Sequence, residues 1–481
     1  MADGVPTPPP TANTLSIGPM GSPGPEDDVR KVVPRRQVVS WALWDWATQP
    51  FNSVILTFVF AALYLVSGNF LPADVAALDM DDPLKVRALA ELSSGYGFVT
   101  FLAGILILLL APVLGQRADA TGRKKGALFL FTMLLALLQF ALFFVRADPS
   151  YFWLGAAFLA LGAVVSEIAG VNYNAMLHQV STRRTIGKVS GLGWGLGYIG
   201  GIVALVIVVV LDRFDFFGLD TSDGLGYRLI AVGAAVWTIV FSIPIFLNVP
   251  EAPAVDPEHR KVNFFKGYVV LARDLVRLYA TSRPAFWFLF ASAIYRDGLA
   301  GIFAFAGILA TAAFGFDAAE VIIFAIVANV VAGISTILAG RADDRFGPKA
   351  VIVFALSGLV AMAVLVFALH DLGSIVFWVG GLVLASFVGP AQAASRSLLA
   401  RVTPVGLQGE IFGLYATTGR VASFISPGLW GLAIAVSGAT IFGVLGIALV
   451  LAVGLALLVF VKLPDLRASA SGQADAPGAL D

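Results

Sequence analysis

The sequence predicts an all-α integral membrane protein of about twelve spanning helices, arranged as two pseudo-symmetric six-helix halves. Three observations predict it. The chain is 58% hydrophobic and only 13% charged, against about 25% charged residues in soluble proteins, so lipid must be its main solvent. Its apolar runs repeatedly reach the roughly 20 residues that a membrane span needs. A short pattern rich in glycine and basic residues also occurs once in each half, Gly115-Gln116-Arg117-Ala118-Asp119-Ala120-Thr121-Gly122-Arg123-Lys124-Lys125 and Gly340-Arg341-Ala342-Asp343-Asp344-Arg345-Phe346-Gly347-Pro348-Lys349.

The spans follow in order. Residues 38–67, 94–114, 126–146, 150–178, 190–212 and 226–249 supply six in the first half. Residues 285–313, 318–340, 349–370, 374–400, 409–435 and 439–463 supply six in the second. The bundles are thus 38–249 and 285–463, joined by a connector at 250–284. That connector mixes Phe264, Phe265, Tyr268, Val269 and Leu271 with Arg273 and Arg277, a pattern that suits an interfacial amphipathic helix or a plain linker helix. Residues 1–37 and 464–481 read as disordered cytosolic tails. No apolar core follows Met1 closely enough for a cleaved signal peptide.

Orientation comes from the basic residues, which collect on the cytoplasmic side. With the N-terminus inside, Arg117, Arg123, Lys124, Lys125, Arg183, Arg184, Lys188, Arg341, Arg345 and Lys349 all fall there. The outer loops then hold Asp74, Asp79, Asp81, Asp82, Asp212, Asp215, Asp220 and Asp223. Both termini are therefore expected in the cytoplasm, and the protein in a bacterial inner membrane.

Composition excludes several classes. A formal net charge of zero argues against a nucleic-acid partner, which needs a basic face. The absence of cysteine removes disulfides, thiolate metal sites and cysteine nucleophiles. Three histidines leave little for a metal centre, so neither metal nor cofactor is expected. Gly195-x-Gly197-x-x-Gly200 matches a dinucleotide fingerprint, but it lies inside a membrane span rather than after a strand. Gly193, Gly197 and Gly201 instead give the small-xxx-small spacing that lets another helix approach. No catalytic constellation is present, and an enzyme is not expected.

The paired loops resemble the signature of the major facilitator superfamily, in which one loop between helices 2 and 3 recurs between helices 8 and 9. Narrower matches are Trp41-Ala42-Leu43-Trp44-Asp45-Trp46-Ala47, the glycine-rich run 191–201, Gln392-Ala393-Ala394-Ser395-Arg396-Ser397 and Glu410-Ile411-Phe412-Gly413-Leu414-Tyr415. Together these resemble the vacuole-effluxer-like branch, whose eukaryotic members are linked to amino-acid efflux during autophagy. The resemblance implies the major-facilitator fold, secondary active transport by alternating access and a monomer. It also implies a cytoplasmic gate at Gly115, Asp119 with Arg123, Gly340, and Asp343 with Lys349. The chain departs from the branch at Thr48-Gln49-Pro50-Phe51-Asn52, where small residues are usual, and at Arg296 in Tyr295-Arg296-Asp297-Gly298.

Charges at the bilayer centre cost at least about 2.5–3.5 kcal/mol, so they usually face a cavity and have a role. At a rise of about 1.5 Å per residue, Asp45 lies roughly 10–13 Å in from the cytoplasmic side. Asp45, Thr48, Gln49 and Asn52 form a polar stripe on helix 1, and Glu167, Gly170, Asn174 and His178 a second on helix 4. Gln392 and Arg396 share a face of helix 10, while Arg296 and Asp297 on helix 7 and Arg420 on helix 11 lie near the midplane. Acids and arginines together predict a cavity of mixed charge, which suits a zwitterion such as an amino acid. Asp45–Arg396 and Asp297–Arg420 are equally readable as structural ion pairs. Glu167 and Asp45 are the candidates to carry a coupling proton, and His178 reads as interfacial. An exporter of amphipathic drugs or lipids, and a receptor or scaffold that no longer transports, remain as alternatives.

Overall fold

The computed structural model describes residues 33–79, 82–182, 184–221, 223–251, 269, 273, 276, 278–280, 283–316, 318–403, 408–437 and 439–461. Most of the 250–284 connector, most of the N-terminal tail and all of the C-terminal tail fall outside the described residues. The described chain is helical. In the first half α1 begins at Arg35–Pro50, followed by α2 (Pro83–Thr121), α3 (Lys124–Ala141), α4 (Phe152–Ala175), α5 (Ile186–Arg213) and α6 (Leu225–Asn248). The second half holds α7 (Arg283–Phe314), α8 (Ala318–Phe346), α9 (Pro348–Ala368), α10 (Ser374–Val402), α11 (Gln408–Ala422 and Ile425–Ser437) and α12 (Gly443–Phe460). Ten of these are single helices long and apolar enough to cross a membrane; α1 and α11 complete the set in pieces. Leu137, Phe354 and Val436 are among the large apolar side chains left on the outside, as lipid-facing helices require.

The two irregular spans have local causes. Pro50 has no N–H, so the carbonyl of Trp46 loses its helical partner. It accepts instead from Trp237 Nε1 of α6 at 3.1 Å, and Thr238 Oγ1 donates to the next carbonyl, that of Ala47, also at 3.1 Å. Beyond Pro50 the chain winds on as π-helix over Phe51–Phe58 and Phe60–Leu65. The break in α11 exposes the unpaired N–H groups of a new helix start, and Asp297 from α7 accepts one of them, that of Ser426, at 2.6 Å. A carboxylate is favoured at that end of the helix dipole.

Three expected boundaries move. The repeated pattern is not a loop over most of its length: α2 runs to Thr121 and α8 to Phe346. Each stops only where a glycine with positive φ, Gly122 (66°) or Gly347 (88°), turns the chain, a backbone angle that glycine adopts without steric cost. Gly115, Gly340 and Asp343 are therefore helical residues. At its other end α2 starts at Pro83 rather than near residue 94. Its polar first turns are held by Lys85 Nζ, which donates to the carbonyls of Ala76 and Leu78 at 2.8 and 2.7 Å.

The halves meet chiefly along two helix pairs, α5 with α8 and α2 with α11, and to a lesser extent where α10 meets α5 and α11 meets α4. Their backbones touch at the end of the molecule where α1 begins, here called the proximal end. A methyl group on Gly191 would lie 2.7 Å from the Thr336 carbonyl and 3.0 Å from Gly340 Cα; one on Gly413 would lie 2.6 Å from Pro112 Cα. Gly187, Gly191 and Gly195 thus form the stripe of α5 that admits the other half. The stripe singled out from sequence, Gly193, Gly197 and Gly201, faces α1 instead, against Asp45, Gln49 and Ser53.

Candidate functional site

A cavity of about 370 Å³ lies in the first half, between α1, α4 and α5. The size falls within the roughly 300–1,000 Å³ of small-molecule sites. Its lining joins the helix 1 stripe read from the sequence, Asp45, Thr48, Gln49 and Asn52, to Glu167 and Gly170 of the helix 4 stripe, with Ser166 beside them; Asn174 and His178 do not line it. Trp44, Trp194 and Tyr198 add aromatic faces, and Leu56, Ala163 and Gly197 complete the wall. The stripes coincide because polar side chains spaced three or four apart on an apolar helix share one face.

The expected mixture of charges does not line this cavity. Among the described residues its two ionisable carboxyl groups, Asp45 and Glu167, are accompanied by no arginine, and Arg396 and Arg296 are turned onto other partners. Arg396 of α10 crosses from the second half and is 5% exposed, whereas Asp45, its carboxylate partner, is 21% exposed. Arg396 Nη1 donates to Asp45 Oδ2 and to Asn174 Oδ1, each at 3.2 Å. Its Nε donates to Ser190 Oγ at 2.9 Å, and Nη2 donates to the Ser190 carbonyl. The guanidinium carbon also lies 5.0, 5.7 and 5.6 Å from the rings of Trp41, Tyr173 and Trp194. Trp41 and Trp44 sandwich Tyr173 at 4.3 and 4.4 Å, and the Tyr173 hydroxyl donates to Asp45 Oδ2 at 2.8 Å. An arginine of one half thus sits in an aromatic box built by the other, directly beneath the cavity.

The other sequence-derived residues separate. Gln392 Oε1 accepts from the Tyr198 hydroxyl at 2.6 Å, a further tie between halves. Arg296 donates to the Tyr415 carbonyl at 2.7 Å and lies 3.6 Å from that ring's centre. Asp297 is buried on Ser426; the side chain of Arg420, its expected partner, lies outside the described residues. Arg296 and Asp297 of α7 thus hold the two pieces of α11 and do not line the cavity.

At the proximal end the pairing also differs from expectation. Asp343 bonds not to Lys349 but to Arg401 Nη2 at 2.9 Å, and the same nitrogen reaches Asp344 at 2.9 Å. Asp344 accepts from the backbone N–H groups of Gly187 and Lys188 at 2.8 and 2.9 Å, capping the N-terminus of α5 in the opposite half. Lys349 Nζ donates to the carbonyls of Val459 and Val461 at the end of α12. In the first half Lys125 Nζ does the same to Phe246 and Val249 at the end of α6. These lysines cap their own bundles because unpaired carbonyls at a helix end attract cations. Lys124 Nζ reaches across to Gln408 Oε1 at 3.0 Å. Gly115 is buried and Arg123 exposed, while the side chain of Asp119 lies outside the described residues. Sequence spacing contains the missed assignment: Asp119 follows Gly115 by four positions, and the residue four beyond Gly340 is Asp344.

The profile of the family described as vacuole effluxer Atg22-like matches residues 178–471. The chain belongs to this family. An uncharacterised MFS-type transporter of Bacillus subtilis, YxiO, is 27% identical over 435 residues, covering 89% of this chain and 95% of its own. A gentisate transporter of Corynebacterium glutamicum is 26% identical over 339 residues, covering 68% of this chain and 69% of its own. The crystal structure of the human organic anion transporter MFSD10 superposes with a TM-score of 0.66 at 16% identity, covering 88% of this chain and 99% of that one. The family and the fold are those of multi-pass membrane transporters of the major facilitator superfamily.

Proposed function

We propose that this family member is a secondary active transporter that moves a small amino-bearing solute, an amino acid above all, by alternating access with proton coupling. The observation that carries this reading is the cavity that holds Asp45 and Glu167 beside Trp44, Trp194 and Tyr198. Two carboxylates and three aromatic faces together attract an ammonium group, by charge and by the ring quadrupole. Neutral donors are available for the solute's own carboxylate: Gln49 and Asn52 line the wall, and the indole N–H of Trp194 is buried without a described partner. The reading therefore keeps the zwitterion but takes its cation from this half, with amides and an indole in place of an arginine fork.

Direction of opening follows from the basic residues. Lys124, Lys125, Arg184, Lys188, Arg341 and Lys349 gather at the proximal end, which the positive-inside rule assigns to the cytoplasm. The α5–α8 and α2–α11 contacts close that end, so the cavity belongs to an outward-facing state of a protein in the bacterial cell membrane.

A thermal-shift panel in detergent, followed by uptake into proteoliposomes, tests the reading. Amino acids should stabilise the protein, and their uptake should respond to an imposed pH gradient. The aromatic acid gentisate should do neither, because two carboxylates repel it. Stabilisation by gentisate alone would overturn the amino-acid assignment. Stabilisation by hydrophobic amines alone would favour export of amphipathic cations, which the same acids and rings also suit.

A further inference from the structure

The geometry points to the Asp45–Arg396 bridge as the element that reports cavity occupancy to the proximal end, Arg396 being a positioning residue and not a ligand of the solute. This rests on the cavity binding an amino-bearing solute, as proposed above. The bridge joins two differently placed partners. Asp45 lines the cavity, and both of its described side-chain bonds fall on Oδ2. Arg396 lies beneath, nearly inaccessible, with Asp45 as the carboxylate it pairs with. A solute ammonium can therefore reach the anion but not the cation.

What Arg396 holds is the junction itself. Its three nitrogens bond to α1, α4 and α5 of the other half, at Asp45, Asn174 and Ser190. Ser190 Oγ donates back to the carbonyl of Ala393, one turn earlier on α10. Gly193 leaves this knot in place because a methyl group there would lie 2.7 Å from Asp45 Oδ2 and 2.9 Å from Arg396 Nη2. Ser190 lies three residues beyond Gly187, whose N–H binds Asp344, so the knot and the proximal contacts share the first turns of α5. An ammonium that engages Asp45 draws off the charge that neutralises Arg396. A buried guanidinium without its anion destabilises the packing that contains it, and the joined state yields to one in which the halves part at the proximal end.

Asn174 supplies the decisive variant. It accepts from the same nitrogen as Asp45 does, yet it does not line the cavity. An aspartate at that position would neutralise Arg396 from a place the solute does not touch. The chain contains no cysteine, so spin labels on Arg184→Cys and Ala350→Cys, both exposed, can report the separation of the halves at the proximal end.

Without solute, Asp45→Asn should shift the distance distribution to longer values than in the parent, and Asp45→Asn/Asn174→Asp should return it. Arg396→Gln, which severs the bridge from its other side, should also lengthen it and provides the test should Asp45→Asn fail to fold. A saturating mixture of the common amino acids should lengthen the parent distances and leave Asp45→Asn/Asn174→Asp unmoved. Parent-like distances in Asp45→Asn and Arg396→Gln would overturn the proposal, as would failure of Asn174→Asp to restore them. The solute-free measurements fail only with the bridge. Absence of amino-acid binding to a parent whose bridge variants open as expected would remove the substrate reading instead.

Discussion

Asp344, in the last turn of α8, accepts the backbone N–H of Gly187, in the first turn of α5, at 2.8 Å. The bond joins the two halves through a helix N-terminus, and Lys188 adds a second at 2.9 Å. Replacing an N-terminal capping carboxylate by alanine costs about 0.5–2 kcal/mol. Asp344→Ala should therefore shift the equilibrium between joined and parted halves by up to about 30-fold. Transport should fall while insertion and expression hold. Asp119 occupies the matching place in the first half by spacing, and Asp119→Asn should impair transport in the same way. Parent uptake rates in both variants would remove the gate from this pattern.

The glycine stripe of α5 allows a sharper test of the same closure. A Cβ on Gly191 meets the Thr336 carbonyl at 2.7 Å and Gly340 Cα at 3.0 Å, and backbone atoms cannot rotate away as a side chain can. Overpacking of this kind costs about 1–3 kcal/mol. Gly191→Val should hold the proximal end apart, so that spin labels on Arg184→Cys and Ala350→Cys, both exposed, move to longer distances than in the parent. Distances no longer than in the parent would show that α5 and α8 adjust.

Lys349 separates topology from gating. Its Nζ closes the end of α12 on the carbonyls of Val459 and Val461 at 3.1 and 2.7 Å, without crossing between halves. Lys349→Ala should lower the melting temperature, through a loss of about 1–2 kcal/mol, and leave the uptake rate per folded molecule near that of the parent. An inactive but thermally unchanged variant would return Lys349 to the gate.

Legibility in the sequence follows the range of the interactions. The spans and the cavity wall depend on composition and on spacings of three and four, and those are local. Asp45, Gln49, Asn52 and Glu167 line the cavity as helical periodicity predicts, whereas Asn174, on the same stripe as Glu167, is taken by an arginine of the other half. The partner of Asp45 lies 351 positions away, and whether Arg396 would face a solute or an aromatic box depends on how two bundles are rotated against each other. Trp41, Tyr173 and Trp194 build that box, yet in sequence each resembles an ordinary apolar residue of a membrane helix. The break in α11 was equally hidden, because its stabilising carboxylate, Asp297, is on another helix. Asp344 is a different case: counting from the glycine of each pattern assigns it, whereas choosing the first aspartate gives Asp343.

The proton coupling proposed above is tested at Glu167. It lines the same cavity as Asp45, from the opposite helix, so a proton on its carboxyl and an ammonium beside it bear on one another through charge. On that reading a proton there would remove one of the two negative charges proposed to hold the solute, and the two binding events would be linked reciprocally. Glu167→Gln fixes the neutral state. Accumulation driven by a pH gradient should then collapse to the equilibrium distribution, while solute exchange between the two sides of the membrane, which needs no net proton movement, should continue. Loss of exchange together with accumulation would place Glu167 in solute binding, and accumulation at the parent level would move the proton to Asp45.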